Sequence, residues 1–520
     1  MAVMMTNFKD GFVRLLLDDT LKAEQAEVSG VNIGTYIDYE DEEVEKCDYN
    51  AAYVGKDATF TGIEVYADGL VEIDEAGRIG NINITGGTLS GSPVCENAIG
   101  WYGAGLCLSS ADYTQNGPGA VLLTGGTFSG CAVNPLNGYT GHGGAIESYG
   151  GTVSAQDCLF VGNSANGFKA AGGAMALMYS NNTITGGTFS GNIAYFGGAI
   201  QQNAGDMTVT NAFFEGNRTE GDKTDDFVPG GGAVELHNGA TASISGSTFR
   251  ANTAYSGGAV YNDTFNSAVS TVTVDGCVFD ANTADYQGGA VYNYATMTVT
   301  DSVFTGNYLT DSNPYSTTAY GGAVANTLNG TMTITGGTFS ANGAVYGGAV
   351  ATFIDFGSSC SADLTVTGAE FDDNAAGYGG GIYIQTGTAD ATIITDTDFT
   401  GNTASYGGGA VCRCYGAMTI TGGTFTANSA GNDGGAVAVW DSWDKDSSIS
   451  GAAFDSNTAL YGGAISHSWA TAPLLVSDCM FIGNSAVYAG ERTRSAGRRQ
   501  GQEKEEMIVR GGTSRPCITF

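Results

Sequence analysis

Fifty-three carboxylates, three histidines and eleven cysteines are the side chains through which this 520-residue chain could do chemistry. Glycoside hydrolysis needs two carboxyl groups held at a set separation. Most Asp and Glu here stand at variable positions, such as the pair Asp372-Asp373. Elimination on an acidic sugar needs a base to take the proton and cations to neutralise the substrate carboxylate. Between residues 101 and 490 only six basic residues occur, Lys169, Arg218, Lys223, Arg250, Arg413 and Lys445, too few for that reaction. His142, His237 and His467 are widely spaced and read as exposed or internally satisfied loop side chains rather than bases. Cys412 and Cys414 flank Arg413 with no second pair at zinc-site spacing. Cys277 and Cys479 each precede a recurrent Phe by two residues and read as small core residues. No nucleophile elbow, phosphate loop or metalloprotease motif appears. Catalytic, cofactor-binding and metal-ligating residues are therefore expected to be absent. The acidic loops leave Ca2+ as the one cation the composition would suit, although no EF-hand loop or calcium-binding nonapeptide is present.

The elements that would have to position any such site are written as one repeated unit. It reads Phe-x-x-Asn, a polar spacer, then Gly-Gly-Ala and an aliphatic residue. Its clearest copy runs Phe279-Asp280-Ala281-Asn282 to Gly288-Gly289-Ala290-Val291. The Phe recurs at 128, 160, 189, 214, 249, 279, 304, 339, 371, 399, 425, 454 and 481, in steps of 25 to 35 residues. Twelve copies carry the Asn; the copy at Phe128 has Cys131 instead. A unit of this period marks a solenoid, and steps that vary this much suit short strands joined by loops of free length.

Before each Phe lies a stretch of period two, as in Thr296-Met297-Thr298-Val299-Thr300, with Met297 and Val299 on one face and the threonines on the other. A Gly-Gly or Asp-Ser pair then breaks the strand and the Phe enters the core. The Asn suits a left-handed turn. Gly-Gly supplies a second corner without a Cβ clash, and the aliphatic residue after Gly-Gly-Ala points inward. Three strands and three corners per unit make one coil. The fold class expected is all-β, a right-handed parallel β-helix of about 12 to 14 coils, with stacked Phe, aliphatic and Asn positions forming internal ladders.

The ends differ. Residues 1–57 read as a cap, with an amphipathic helix over 7–27 carrying Phe8, Phe12, Leu15, Leu16 and Leu21, followed by an acidic loop. The β-helix spans 58–488, with clear repeats from about 125. Residues 489–520 hold seven of the 19 basic residues and break the repeat in mid-unit, so they read as disordered or frameshifted sequence. No stretch is apolar for long enough to span a bilayer. Phe12 to Leu17, interrupted by Arg14 and followed by Asp18-Asp19, does not read as a signal peptide.

A net charge of -34 excludes nucleic acid as a partner and disfavours anionic lipid. The bland consequence is solubility and resistance to self-association, consistent with a monomeric rod.

Phe-x-x-Asn paired with Gly-Gly-Ala-Ile/Val over residues 125–488 resembles the repeats of the polymorphic outer membrane proteins, the β-helical passenger domains of autotransporter adhesins. The resemblance implies an extracellular, cell-surface or outer-membrane rod. Its partner would be a host-cell or surface protein or glycan. It also implies adhesive importance for the motif positions themselves: Phe189, Asn192, Gly197, Gly198, Ala199 and Ile200; Phe279, Asn282, Gly288, Gly289, Ala290 and Val291; Phe304 and Asn307; Phe399 and Asn402. The physical reading gives the same residues to corners and core, and to loops such as 218–230 and 308–320 the contact with partners. Two alternatives stand beside this non-catalytic reading. Parallel β-helices also host polysaccharide lyases and glycosidases. The Thr-x-Thr strands could also present a flat row to ice or a crystal, although β-propensity alone accounts for threonine there.

Overall fold

The computed structural model describes residues 123–488 apart from 134–139, 222–227, 265–267, 312–317, 355–359, 388–390, 441–445, 469–472 and positions 149 and 151. The expected N-terminal helix, the acidic loop, the early coils and the basic tail lie outside the described residues, as do residues 222–227 and 312–317 of loops 218–230 and 308–320. The chain divides into two units, Met1–Tyr255 with Ala259–Thr271, and Ser256–Gly258 with Val272–Phe520.

Each unit is a parallel β-solenoid, and no helix occurs among the described residues. One turn of the second unit comprises Thr296–Thr300, Val303–Thr305, Tyr308–Leu309 and Val324–Thr327. Each strand pairs in parallel with its counterpart one turn on, in register: Val299 with Ile334, Phe304 with Phe339, Val324 with Val350. A turn therefore has four strands, where the sequence pattern implied three. The extra strand follows the Asn. It is only two residues long in many turns, as at Ser164–Ala165 and Ile193–Ala194, too short to show any alternation. Among the described residues four complete turns lie in the first unit and seven in the second, eleven together; the expected 12 to 14 also counted early coils, which lie outside the described residues.

The corners are set by left-handed residues. Between the threonine strand and the Phe strand this residue is Asp, Asn or Gly, for example Asp157, Asn211, Asp301 and Gly336. A small residue follows it. Where that residue is Ser247, Ser302 or Thr397, its hydroxyl donates to the carbonyl two residues back, at 2.9 to 3.0 Å. Cys158, Cys277 and Cys479 use the thiol in the same way. The cysteines thus replace hydroxyls at one corner. Cys277 is buried, as expected, but Cys479 is only partly so.

At the second corner the left-handed residue precedes the Asn, as at Ala281, Gly306, Ala341, Asp373 and Gly401. The Asn itself does not adopt that backbone, contrary to the turn role expected for it. Its side chain points into the core. At the third corner the first glycine of the pair is left-handed, as at Gly288 (φ 63°). The second glycine is needed for a different reason. A Cβ on Gly289 would overlap the carbonyl oxygen of Gly322 on the next turn.

The core is a set of ladders. Phe128, Phe160, Phe189, Phe214 and Phe249 stack with centroids 4.8 Å apart and planes within 12°. Phe279 to Phe481 stack likewise in the second unit at 4.5 to 5.0 Å. That interval is the strand spacing itself, so parallel register alone brings ring over ring. All are buried except Phe481, which is partly exposed on the last described turn.

Candidate binding surface

The Phe, Asn and aliphatic side chains of the repeat motif are buried. Phe189, Asn192, Ala199 and Ile200 are no more than 1% exposed, and Phe279, Asn282, Ala290, Val291, Phe304, Asn307, Phe399 and Asn402 are 0% exposed. From Asn192 to Asn252 in the first unit and from Asn307 to Asn484 in the second, each core Asn accepts through Oδ1 from both the main-chain N–H and the side-chain amide of the Asn one turn before. Its own Nδ2 donates to the next Oδ1 and back to the carbonyl of the Phe one turn before. At Asn192 these bonds measure 2.8 to 3.0 Å to Asn163, Asn217 and Phe160. No motif side chain in this ladder has surface left for a partner.

The sheet that follows Gly-Gly-Ala behaves unexpectedly. Its strands, such as Val350–Phe353 and Ile382–Gln385, are buried on both faces. The outward positions therefore hold side chains that periodicity alone would place in water.

In the first unit that covered face is polar. Glu147, Gln201 and Glu235 are buried on it, in register across the strands. Gln201 Nε2 donates to Glu235 Oε2 at 2.9 Å, and His237 Nδ1 meets Asp263 Oδ2 at 3.1 Å. Burial pushes the Glu235 carboxyl up to about 8, against the opposing pull of His237 and of the Gln201 amide. For His237, burial alone would lower the imidazole, but the Asp263 hydrogen bond and the charges of Glu235 and Asp263 raise it. A carboxylic acid beside a carboxylate-bound imidazole is the kind of set that acid–base chemistry uses. Glu235, however, is only 1% exposed and offers a substrate no approach. Of the histidines, expected to be exposed or internally satisfied, His142 and His467 are buried and His237 is half-buried against Asp263, on separate turns.

This cluster makes stability depend on pH. Protonated in the fold and ionised in the unfolded chain, Glu235 contributes stability that is lost as pH rises from its ordinary 4.5 to about 8. His237 acts in the same sense above its ordinary 6.5. His142, pushed down to about 4 by burial, acts oppositely, but only up to 6.5. Between about 6.5 and 8 the first unit is thus expected to lose roughly 2 kcal/mol through Glu235. Denaturant midpoints across that range measure the loss, and Glu235→Gln should flatten the profile; an unchanged slope would refute the assignment.

In the second unit the same side of the turn is aromatic. Tyr320, Tyr346, Tyr378 and Tyr406 stand just before their Gly-Gly corners and stack at 4.7, 5.3 and 4.8 Å. Tyr383 leans against Tyr346 at 5.0 Å, and its hydroxyl donates to Gln385 Oε1 at 2.8 Å. Trp440 meets Tyr378 edge to face at 5.4 Å. It rests over Gly407, where any Cβ would strike the indole. Tyr320 and Tyr383 are buried, whereas Tyr346, Tyr378, Tyr406 and Trp440 are partly exposed. The sequence carried a signal for this stack in the Tyr-Gly-Gly triplets of 320–322, 346–348 and 378–380, which the motif reading treated as spacer. Arg413, between its two cysteines, is 1% exposed and donates from Nε to Gly416 O at 2.5 Å and from Nη1 to Trp440 O at 3.4 Å.

The outward threonine rows are interrupted. Thr298, Thr333 and Thr365 align, but Ile393 takes the next place before Thr419. Among the described residues no group of three or more His, Cys, Asp or Glu side chains could hold a metal ion. No helix among them is long and apolar enough to cross a membrane.

The profile of the Chlamydia polymorphic membrane protein repeat matches residues 276–294 and 396–412, each including a Gly-Gly corner of the geometry described above. These two segments are similar to the polymorphic membrane protein repeat. No curated protein matches it. Among solved structures, PfbA, a surface adhesin of Streptococcus pneumoniae, aligns at 13% identity with a TM-score of 0.32, over 75% of this chain and 92% of that one. That likeness is too distant to bear on the site. The repeat profile spans parts of two turns of the second unit, where the Phe, Asn and aliphatic side chains of the motif are buried.

Proposed function

We propose that this chain is a non-catalytic, surface-exposed or secreted parallel β-solenoid that acts as an adhesin-like binding protein. The observation that carries the reading is the Phe-x-x-Asn and Gly-Gly-Ala repeat, which the polymorphic membrane protein repeat profile matches in two turns of the second unit, and whose Phe and Asn side chains are internal there. Contact with a host-cell or surface partner then falls to outward side chains and to the loops between turns, which vary in length without disturbing the core. The coil is right-handed, the chain works as a monomeric rod, and its place is the cell surface or extracellular space. The motif residues, Phe189 to Ile200 among them, serve adhesion only by holding these outward groups in place. The buried Glu235 and the scarcity of exposed cations speak against polysaccharide lyase or glycosidase activity. No metal enters this reading, and a chelator is expected to leave the melting temperature unchanged.

The experiment is a binding assay with the purified full chain on cultured host cells, run beside a reducing-end and unsaturated-product screen on polysaccharides. Saturable binding with no product is expected. Product release, or cell association no greater than that of an unrelated acidic protein, would overturn the reading.

A further inference from the structure

We propose that the tyrosine stack of the second unit is a binding strip for an uncharged, extended glycan. The proposal rests on the surface-binding reading above and names the ligand class of one face.

Four observations carry it. The rings of Tyr346, Tyr378 and Tyr406 recur along the solenoid at 4.8 to 5.3 Å, each partly exposed. Successive sugars of an extended β-linked chain recur at close to this strand spacing, so one sugar can meet each rung without strain. A tyrosine edge offers apolar ring and a hydroxyl together, which suits a pyranose with its apolar C–H faces and polar rim. Among the described residues the hydroxyls of Tyr346, Tyr378 and Tyr406 make no hydrogen bond to the protein, and burial pushes that of Tyr378 up to about 12, so it stays a donor.

The strip is also held rigid before any ligand arrives. Tyr320 and Tyr383 are buried beneath and beside it, and Phe353 stacks on Tyr320 at 3.9 Å. Little side-chain entropy remains to be lost on binding.

Charge selects within the glycans. Arg413 and Lys445 are the only basic residues between 272 and 488, and Arg413 is buried. A uronate, sulfate or sialate would find no exposed guanidinium on the described face and would meet the acidic surface instead. Neutral chains pay no such penalty.

The test compares the full wild-type chain with the triple variants Y346A/Y378A/Y406A and Y346F/Y378F/Y406F. Binding to chitohexaose and cellohexaose is measured by calorimetry, and to insoluble chitin and cellulose by co-sedimentation, with polygalacturonate and heparin as anionic probes. Wild type should bind at least one neutral glycan and neither anionic one. The alanine variant should lose at least tenfold in affinity and the phenylalanine variant several-fold, both melting within a few degrees of wild type. Should the alanine variant unfold, the phenylalanine variant decides, because it keeps every ring. Failure of wild type to bind any neutral glycan, full affinity in the phenylalanine and alanine variants, or tighter binding of the anionic probes would overturn the proposal. Cell binding separates the two readings. A chain that binds cells but no neutral glycan sinks the strip alone, and one that binds glycans but no cells sinks the adhesin reading alone.

Discussion

Asn374→Ala is expected to destabilise the second unit by roughly 3 to 5 kcal/mol, seen as a lowered denaturant midpoint and loss of cooperative melting. Asn374 Oδ1 accepts from the main chain of Asn342 at 3.0 Å and from its amide at 3.0 Å. Its Nδ2 donates to Phe339 O at 2.8 Å and to Asn402 Oδ1 at 2.9 Å. All of these groups are buried, so truncation strands the N–H of Asn342 where no water reaches it, and adds a cavity. Asp is not a substitute although its shape is the same. Its second oxygen would face the Phe339 carbonyl with no hydrogen to give, in a site that would also have to hold a charge. A midpoint for Asn374→Ala equal to wild type, or an Asp variant as stable as Asn, would remove the amide ladder from the account of stability.

Gly348→Ala should be nearly as damaging, for a steric reason. Its backbone is not left-handed, so alanine meets no conformational barrier there. The added Cβ would overlap the carbonyl oxygen of Gly380 and lie 2.7 Å from that of Ala375, both on the next turn. Main chain cannot step aside as a flexible side chain can, so the turns must separate, and with them the bond from Gly348 N to Gly379 O. A loss of about 3 kcal/mol or more is expected. Gly343→Ala is the control in the same turn: its Cβ would meet only Ala375 O at 3.7 Å, an ordinary contact. That substitution should be neutral or stabilise by a few tenths of a kcal/mol to about 1 kcal/mol, by restricting the unfolded chain. Equal effects at the two glycines, read from chemical denaturation, would contradict the packing argument.

The periodic part of this fold was legible because a solenoid repeats its neighbour relations. Phe339 lies over Phe304 for the same reason that Phe371 lies over Phe339, so a side chain written at every repeat reports its own surroundings. The readings of Met297 and Val299 as inward, of Phe as core and of Asn as a ladder all follow from that recurrence. Features confined to two or three residues were not legible in the same way. The fourth strand, at Ile193–Ala194 and its counterparts, is too short for a period. The left-handed corner was placed on Asn, by its known tolerance, when Asp373 and Ala341 carry it and the Asn needs its side chain for the core.

The candidate surface was the least legible of all. Glu235 and Arg413 look like any solvated charge in a polar stretch, yet both are 1% exposed. Arg413 takes the inward register of Ile384, whereas Glu235 stands on the outward face, the one that Tyr320 and Tyr346 cover at Tyr383 in the second unit. Nothing in local alternation reports that a second layer will cover an outward face.

By itself, then, the order of residues determined the repeat, the inward faces and the ladders, since each depends on contacts between equivalent positions one turn apart. Only the tertiary structure decided which outward side chains are covered, which tyrosines meet and which carboxyl is pushed from water. Those contacts join inequivalent positions across loops of unequal length, and no period in the chain encodes where such loops come to rest.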